Sequence, residues 1–516
     1  MTAVATLDRE ILKAARDHDS TPLVIASAVR PHTARLGALV EDAERVAGAF
    51  QGLGVRPGDV VAVQLPNWYE GAVAQAAALL CGAVLLPLVP TYGPRELGFV
   101  LAQSGASVLV IPARWRNRDN PSEVAGLGPL PSLKAIVVVG EEAPAGMVRW
   151  DDLFGSRSRP YTPVTPDPHD VALLVYTSGT TAAPKGVQHS HTSLLAEVRS
   201  AAGAHSTGPE RTQLAAFPPG HVAGLLCLLR ILVLGTPTVM MDAWEAAHAA
   251  RLIDEHKVTS TSGAPVHLAA LLDVRERREA SLASLTDYLV GAASVPPSMV
   301  ERADAAGIAA YRSYGSSEHP TISTGTPLDP LSKRAWTDGA PVPGNEVRIV
   351  GDDGRDVGEG GEGEILTRGP ELFVGYRDRT LDRDVFAEGG WFRSGDIGRI
   401  DPDGFLVLTD RKKDIIVRGG ENISSKEVED ILVAHPRVAE AAAVGSPDER
   451  YGERVCVFVV LRSGAGLDLA EVAAHFQRSG AARHKTPERV VVVDGLPRTP
   501  AGKVQKFELR RRLRES

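Results

Sequence analysis

Hydrophobic positions in the first two thirds of the chain alternate between the spacing of helices and that of strands. Residues 60–65 and 84–88 are short, apolar runs that predict buried strands. Before them, apolar residues recur every three or four positions and predict one face of a helix: Leu39, Ala43, Val46, Ala47 and Phe50. The alternation returns in residues 213–264 and again in residues 285–314. This order predicts stacked, mostly parallel sheets wrapped by helices.

The pattern changes after residue 345, where short strand-like runs are separated by Gly-rich turns and predict a small antiparallel unit: 347–350, 363–367 and 404–408. The charged segment DRKKD at residues 410–414 separates this body from a tail with its own predicted helix, near 426–434, and strands. We therefore expect an α/β protein with a large amino-terminal domain, residues 1–410, that includes the small β unit. A small α+β carboxy-terminal domain is expected to follow over residues 411–516.

Composition narrows the class of protein. The 516 residues carry a net charge of −8, so the sequence lacks the excess of basic residues that is typical of proteins that bind nucleic acid or an anionic membrane. The cysteines Cys81, Cys227 and Cys456 lie far apart in apolar runs, as reduced core residues do. The amino terminus has no secretory pattern, and the most apolar segment, residues 73–90, is too short and interrupted to cross a bilayer. We expect a cytoplasmic protein with no integral membrane segment, and the assembly, monomer or homodimer, is left open.

The most informative segment is LVYTSGTTAAPKGVQH, residues 174–189. A short apolar strand is predicted to end near Tyr176, and residues 177–186 have the composition of a loop. This loop is not a Walker loop, because the order of glycines and lysine differs. It nevertheless places backbone, hydroxyl and amine donors where a polyphosphate could bind: Thr177, Ser178, Gly179, Thr180, Thr181 and Lys185. An ordinary surface turn is the plain alternative.

Two further clusters contain candidate chemistry. The segment YRSYGSSEHP, residues 311–320, joins an aromatic ring, a Gly turn, two hydroxyls and a carboxylate: Tyr314, Gly315, Ser316, Ser317 and Glu318. Such a set suits purine stacking on Tyr314 and a divalent cation on Glu318. In residues 390–403, Asp396 lies in a turn where a carboxylate can accept both ribose hydroxyls. A polar turn and a turn-capping aspartate are the structural alternatives.

Taken together, these segments resemble the adenylate-forming superfamily of acyl-CoA synthetases, non-ribosomal peptide adenylation domains and luciferases. The resemblance extends over nearly the whole chain. Its motifs stand in the family's order: the phosphate loop at 177–187, Y-G-x-[ST]-E at 314–318, S-G-D at 394–396, the D-R-x-x-D hinge at 410–414, the Gly-Gly-Glu-Asn-Ile loop at 419–423 and R-T-x-x-G-K at 498–503.

The resemblance implies a two-step reaction. A carboxylate attacks the α-phosphate of ATP to give an acyl adenylate, and coenzyme A then displaces AMP. Lys503 would bridge the two anions in the first step, where like-charge repulsion dominates the barrier. Glu318 would hold Mg²⁺ against the phosphates, and Ser317 would add a hydroxyl donor.

Other residues would bind the nucleotide and CoA in the family's manner. Tyr314 would cover adenine, with the backbone of Gly291, Ala292 and Ala293 on its other side. Asp396 and Arg411 would contact the ribose. Lys413 falls on the family's pivot, about which the carboxy-terminal domain rotates between the half reactions, although a solvated lysine is the alternative. Gly419 and Gly420 would line the pantetheine passage.

His221, in FPPGHVAGL, matches the family's histidine beside the carboxylate pocket. Amino-acid adenylation domains usually have an aspartate after the aromatic residue of this segment, whereas Pro218 follows Phe217 here, which argues against an amino-acid substrate. The residues after His221 favour an apolar acid: Val222, Ala223, Leu225 and Leu226. Two departures from the family pattern, Ala182 for glycine in the phosphate loop and Ser317 for threonine, remove no charged group.

The leading hypothesis is an ATP-dependent acid–CoA ligase for an apolar acid, short to medium aliphatic, alicyclic or aryl. One alternative is an acyl-AMP ligase that delivers to a separate carrier protein, since the chain has no carrier domain. Another is a nucleotide-binding protein without turnover, against which stands the joint presence of Lys503, Glu318, Asp396 and Arg411.

Overall fold

The structure is a computed structural model that describes residues 5–155, 158–177, 184–204, 210–293, 295–418, 421–448, 451–462, 466–499 and 502–515. Its α-helices are Leu7–Asp17, Leu36–Gly52, Tyr69–Leu80, Pro94–Ser104, Asn120–Ala125, His191–Ala204, Val222–Leu234, Ala246–His256, Pro265–Glu276, Pro297–Ala305, Leu331–Trp336, Asp382–Val385, Ser425–Val433, Leu469–Ser479 and Lys506–Glu515. Short 3₁₀ turns occur at Trp150–Leu153, Arg379–Leu381, Glu388–Gly390 and Arg483–Lys485. None of the described helices has the length and apolar character that a membrane crossing requires.

Two large sheets form the body, and their central strands are parallel, as the sequence predicts. The first runs, in spatial order, Ala340–Pro341, Ser323–Thr324, Ala309–Tyr314, Asp287–Val290, Ser260–Gly263, Gln213–Ala215, Thr238–Met241, Pro22–Ala26 and His32–Arg35. The second runs Gly375–Tyr376, Lys185–Ser190, Val171–Thr177, Val84–Pro87, Val60–Val63, Val108–Pro112, Ala135–Val139 and Val148–Arg149. Arg114–Trp115 and Arg118–Asp119 form a separate two-stranded ribbon.

A layer of helices lies between the two sheets. One continuous buried cluster joins Leu23 of the first sheet and Leu85 of the second to the helices Leu36–Gly52, Tyr69–Leu80 and Val222–Leu234. Helices with few polar residues are expected in such a layer, because both faces are buried. His221, just before the helix Val222–Leu234, lines the same cavity as Thr177, where the phosphate loop begins.

One part of the predicted phosphate loop was wrong. Three residues expected in the loop lie in strands, since Thr177 ends Val171–Thr177 and Lys185 and Gly186 begin Lys185–Ser190. Thr177 pairs with Lys185 and Tyr176 pairs with Gly186 in antiparallel register. The strand's backbone pairing therefore overrides the loop-like local composition, and the lysine is held at the root of the loop.

The small antiparallel unit predicted after residue 345 is confirmed. Its strands are Glu346–Val350, Gly363–Arg368, Trp391–Ile400 and Phe386–Ala387, with Leu406–Arg411 paired to Trp391–Ile400. All of its pairings are antiparallel.

The tail has its own sheet and its own buried clusters. The sheet comprises Glu421–Ile423, Ile416–Arg418, Gly452–Leu461, Val438–Asp448 and Arg489–Val492. Val428 and Phe476 pack on one of its faces and Leu509 on the other. This α+β arrangement agrees with the predicted small second unit, and the exact boundary at residue 410 stays a prediction.

Candidate active site

A cavity of about 760 Å³ lies where the two sheets, the antiparallel unit and the tail meet. Residues from distant parts of the chain converge on it, and most of the side chains predicted from the sequence are among them. The predicted residues that line the cavity are Thr177, Lys185, His221, Gly291, Ala292, Gly315, Ser316, Ser317, Glu318, Asp396, Arg411, Lys413 and Lys503.

Two predicted residues do not line this cavity: Ala293 and Tyr314. The ring of Tyr314 is only 6% exposed and packs with Ile322 and Ile365 behind the cavity wall. Its contact with adenine stays a prediction, and its hydroxyl has a separate partner in Asp396. Six predicted residues lie outside the described part of the chain: Ser178, Gly179, Thr180, Thr181, Gly419 and Gly420.

Asp396 is held by donors on both carboxylate oxygens. Arg411 Nε donates to Oδ1 at 2.8 Å, and the hydroxyl of Tyr314 donates to Oδ2 at 2.7 Å. Asp396 and Arg411 are direct cross-strand partners, so the register of the antiparallel sheet places the pair. The side chain of Asp396 is 3% exposed. A buried carboxylate fixed in this way has a defined orientation at the cavity wall.

Glu318 has a partner that the sequence did not indicate. The hydroxyl of Tyr376 donates to Glu318 Oε1 at 2.8 Å, and Lys185 Nζ lies 5.1 Å from the centre of the Tyr376 ring. Burial and the nearby Glu318 raise the pKa of Tyr376, so the hydroxyl stays a donor. Tyr376 thus connects the root of the phosphate loop to the acidic residue.

The donor set around Glu318 suits Mg²⁺ shared with a phosphate ligand rather than a complete protein cage. Within the described residues, no group of three or more His, Cys, Asp or Glu side chains is arranged to hold a metal ion. Mg²⁺ is commonly bound by one or two carboxylates, with water and substrate phosphates as the other ligands. A single cavity carboxylate is therefore a compatible site.

Lys503 reaches the cavity from a tight turn near the end of the chain. Thr499 N–H donates to the carbonyl of Lys503 at 2.8 Å, and Gly502, with φ +85°, has the left-handed conformation that glycine adopts easily. Burial, followed by the charge of Arg411, lowers the pKa of Lys503 to about 7. The amine therefore lies in a site that disfavours its charge until an anion is present.

His221 caps the helix Val222–Leu234 and is stacked on Phe217. Its Nδ1 accepts a hydrogen bond from Ala223 N at 3.2 Å, and the two rings are 5.6 Å apart and 15° from parallel. Burial and then Lys503 lower the pKa of His221 to about 4, so the ring is neutral near pH 7. Because Nδ1 is an acceptor, the single ring proton is assigned to Nε2, which can donate.

Close backbone packing fixes this segment. A Cβ on Gly220 would lie 2.2 Å from Val89 N, and a Cβ on Gly224 would lie 2.1 Å from the carbonyl oxygen of Pro218. Only glycine allows these approaches. Of the four residues predicted to favour an apolar acid, Val222, Ala223 and Leu226 line the cavity, whereas Leu225 is buried in the helix layer.

Several cavity residues were missed by the sequence analysis, among them Tyr376, Glu197 and Arg230. Tyr376 lies in a two-residue strand, and Glu197 lies in a helix, outside the motifs that the sequence analysis used, so neither was singled out. Arg230 did have a signal in the local sequence, since it is the only charged residue in VAGLLCLLRILVL.

Comparisons with known proteins agree with this geometry. The profile of the family described as AMP-binding enzyme matches residues 14–377, and that of the AMP-binding enzyme C-terminal domain matches residues 427–503. The medium-chain fatty-acid–CoA ligase of Escherichia coli (strain K12) is 36% identical over 463 residues, which are 89% of this chain and 82% of that protein.

Two further similarities extend over almost the full length. The 3-[(3aS,4S,7aS)-7a-methyl-1,5-dioxo-octahydro-1H-inden-4-yl]propanoyl:CoA ligase of Mycobacterium tuberculosis (strain ATCC 25618 / H37Rv) is 36% identical over 90% of this chain and 91% of its own. The crystal structure of ATP-bound MatB from Rhodopseudomonas palustris superimposes with a TM-score of 0.87 at 25% identity, covering 98% of this chain and 99% of its own. The predicted superfamily is thereby confirmed: the chain belongs to the AMP-binding enzyme family and is an AMP-forming acid–CoA ligase.

Proposed function

We propose that the enzyme joins carboxylic acids with an apolar body to coenzyme A, with Lys503, Glu318, His221 and Asp396 as its principal active-site residues. One observation carries these roles. An amine from the end of the chain, a carboxylate on the 314–318 segment and a buried carboxylate of the antiparallel unit line one cavity.

In the first step, an oxygen of the acid attacks the α-phosphorus of ATP, and the bond to pyrophosphate breaks. The acid and the phosphate are both anionic, so a positioned cation stabilises the transition state more than the separated reactants. Lys503 is suited to this role, because burial lowers its pKa and two bound anions would offset that cost by attracting the ammonium charge. His221, neutral with its proton on Nε2, would donate to the acid near the helix terminus.

The nucleotide would bind against the antiparallel unit. Asp396, fixed by Arg411 and Tyr314, has its carboxylate oriented toward the cavity and would accept from the ribose hydroxyls. Gly291 and Ala292 would face the base, and Thr177 and Lys185 would contact the phosphates from the root of the loop. Bound Mg²⁺, held by Glu318, would neutralise phosphate charge.

The acid would lie along the helix Val222–Leu234. Apolar side chains form this part of the wall, and they suit aliphatic or ring-containing acids: Phe217, Val222, Ala223, Leu226 and Leu289. Relatives named for a medium-chain fatty acid and for an indenyl propanoate support an acid of this kind.

In the second step, the thiol of CoA attacks the acyl carbonyl and AMP leaves. We propose that residues 411–516 move as a unit about Lys413 before this step, which withdraws Lys503 and brings residues 419–420 to the thiol passage. The present arrangement, with Lys503 in the cavity, suits the first step. The turn at Arg411–Asp414, closed by Asp414 N–H donating to the Arg411 carbonyl at 2.8 Å, contains the proposed pivot.

The test separates the two half reactions. Lys503→Ala is expected to reduce acyl-AMP formation by about 100- to 1000-fold and to leave CoA transfer from a supplied acyl adenylate largely intact. Pyrophosphate release and thioester formation are measured separately over a panel of aliphatic, alicyclic and aryl acids. Lys134→Ala, which removes an exposed lysine paired with Asp59, is the matched control. Equal loss in both half reactions would remove the assignment of Lys503.

A further inference from the structure

Arg230 is a charged residue in an otherwise apolar helix, which is an unusual position for a charge. It is the only charged residue of the helix Val222–Leu234, whose other residues are glycine or apolar and nearly all buried. This helix lies in the layer between the two sheets. A charge in such a layer is costly unless it is paired or serves a ligand, because it loses its hydration.

The position of Arg230 on the helix directs it to the cavity. Val222, Leu226 and Arg230 are four residues apart, so they share one face, and all three line the cavity. At 1.5 Å per residue, the Cα of Arg230 lies about 12 Å along the helix axis from that of Val222. The cavity therefore follows the helix from the carboxylate end at His221, past an apolar wall, to a guanidinium.

The described residues leave Arg230 without a direct partner. Within the described part of the chain, its guanidinium has no ion pair within 4 Å and donates no hydrogen bond. The charge of Arg230 acts on two acidic side chains, Glu197 and Asp287, and each of them has a closer partner. Thr321 donates to Glu197 at 2.7 Å, and Asp287 lies 3.7 Å from Arg211.

Neither acid neutralises the arginine by contact. Glu197 is fully buried and lines the cavity, and burial together with Glu371 raises its pKa well above the usual value, which favours the neutral acid. A protonated Glu197 is a hydrogen-bond donor. Glu371 is the neighbour that takes part in a hydrogen bond with this acid, so at the far end of the cavity the guanidinium of Arg230 is the donor offered to a ligand.

We propose that the enzyme selects acids whose apolar body ends in a second oxygen function, a ketone or a carboxylate, which accepts hydrogen bonds from Arg230. The proposal rests on the acid–CoA ligase activity described above and adds a substrate class to it. An acceptor oxygen would satisfy the guanidinium that the described residues leave unpaired, whereas a terminal methyl group would leave it without such a partner. Discrimination of this kind is stronger than that from an apolar pocket alone.

The experiment compares acids matched in length. Octanoic, 7-oxooctanoic and octanedioic acids, with shorter and longer homologues, are assayed for kcat/KM of acyl-AMP formation in the wild type, Arg230→Leu and Arg230→Gln. The wild type is expected to prefer one or both oxygenated acids by about 10- to 100-fold. In Arg230→Leu, the kcat/KM values of the three acids are expected to lie within about twofold of each other. The values for the oxygenated acids should fall, and the value for octanoic acid should stay near that of the wild type.

The variants also separate the two oxygen functions. Arg230→Gln keeps a donor without the charge, so it is expected to retain part of a ketone preference and to lose a carboxylate preference. Arg251→Leu, at an exposed position on Ala246–His256, is the matched control, and melting curves of all variants report folding.

Two results would overturn the proposal. One is a wild-type preference for octanoic acid over both oxygenated acids, and the other is an equal change in kcat/KM for all three acids in Arg230→Leu. These differ from failure of the proposed function, in which no acid of any kind yields an acyl adenylate.

Discussion

The hydroxyl of Tyr376 donates a 2.8 Å hydrogen bond to Oε1 of Glu318, and this contact joins a two-residue edge strand to the acidic end of the 314–318 segment. Among the described residues no donor contacts the second oxygen of Glu318, so it is available to another ligand. Tyr376 is also the ring over which Lys185 lies. It is therefore expected to orient both charged groups that would face the phosphates.

Tyr376→Phe tests this relationship. Loss of a hydrogen bond to a charged group is worth about 1.5–3 kcal/mol, so kcat/KM for ATP is expected to fall about 10-fold or more, with a higher Mg²⁺ requirement. Steady-state pyrophosphate release over a Mg²⁺ titration measures both. Tyr161→Phe is the control, since it removes a comparable 2.9 Å hydrogen bond to the Leu80 carbonyl away from the cavity. An unchanged Mg²⁺ dependence in Tyr376→Phe would show that Tyr376 does not position Glu318 for the metal.

The depressed pKa of Lys503 predicts a pH dependence. The amine must be protonated to bridge two anions, and burial lowers its pKa to about 7, so the active fraction is present below pH 7 and is lost as pH rises. The kcat/KM of acyl-AMP formation, which reports the free enzyme, is expected to decline above about pH 7. Under saturating ATP, the phosphates favour the ammonium form, so the decline in kcat is expected at higher pH.

Lys503→Arg supplies the control for this profile, because its guanidinium stays charged throughout the range. Any activity that remains in Lys503→Arg is expected to show no decline in kcat/KM as the pH rises above 7. The same decline in that variant would assign the titration to another group.

Gly315 is packed too closely for any side chain. A Cβ at this position would lie 1.9 Å from the carbonyl oxygen of Pro320, a backbone atom that cannot move without the whole turn. Gly315→Ala is expected to cost about 1–3 kcal/mol in unfolding free energy. By displacing Glu318, it is also expected to raise the KM for ATP. Thermal melts and ATP titrations measure the two effects, with Gly128→Ala, where a Cβ meets nothing within 4 Å, as the control. Wild-type stability and KM together would contradict the packing argument.

The Asp396–Arg411 pair gives a prediction that can be measured with altered nucleotides. If Asp396 accepts from the ribose, Asp396→Asn is expected to weaken ATP binding by about 10-fold or more, because a charge-assisted hydrogen bond becomes a neutral one. The variant should also discriminate less against 2′-deoxy-ATP and 3′-deoxy-ATP than the wild type does. Asp356→Asn, which breaks a surface ion pair with Arg348, is the control. Unaltered discrimination among the three nucleotides would place the ribose elsewhere.

The sequence predicted the architecture and part of the cavity because those features have local signatures. Val84–Pro87 forms the strand expected from its apolar run, and Glu318 and Asp396 stand in short motifs with fixed order. Tyr376 could not be found in this way, because its role arises from antiparallel pairing with Val187, nearly two hundred residues earlier. The position of Lys185 in a strand has a different origin, since it follows from antiparallel pairing with Thr177 across the loop, which the loop-like composition of residues 177–186 conceals.

Arg230 shows a different limit. Its isolation among apolar residues was visible in the sequence, but a helix of this composition does not reveal which face meets the cavity. Only the packing of the helix between two sheets establishes that the face of Val222 and Leu226 carries the arginine as well.

The proposed motion of the tail can be tested by locking the present arrangement. Gly502, next to Lys503, approaches the amino terminus of the helix Pro265–Glu276, and a Cβ on Gly502 would lie 3.3 Å from the Cβ of Ala264. This separation is close to the distance of about 3.8 Å found in disulfides, and the native cysteines are buried and unpaired. The double substitution Ala264→Cys and Gly502→Cys is expected to form a disulfide, despite a strain of about 1–2 kcal/mol from the positive φ.

The oxidised double variant is expected to retain acyl-AMP formation, since Lys503 stays in the cavity, and to lose CoA transfer by more than about 10-fold if the tail must move. Reduction should restore transfer, and each single cysteine variant controls for the substitution itself. Pyrophosphate release and thioester formation are measured before and after addition of reductant. Full CoA transfer by the quantitatively oxidised enzyme would mean that both half reactions occur with Lys503 in place, and the rotation about Lys413 would be abandoned.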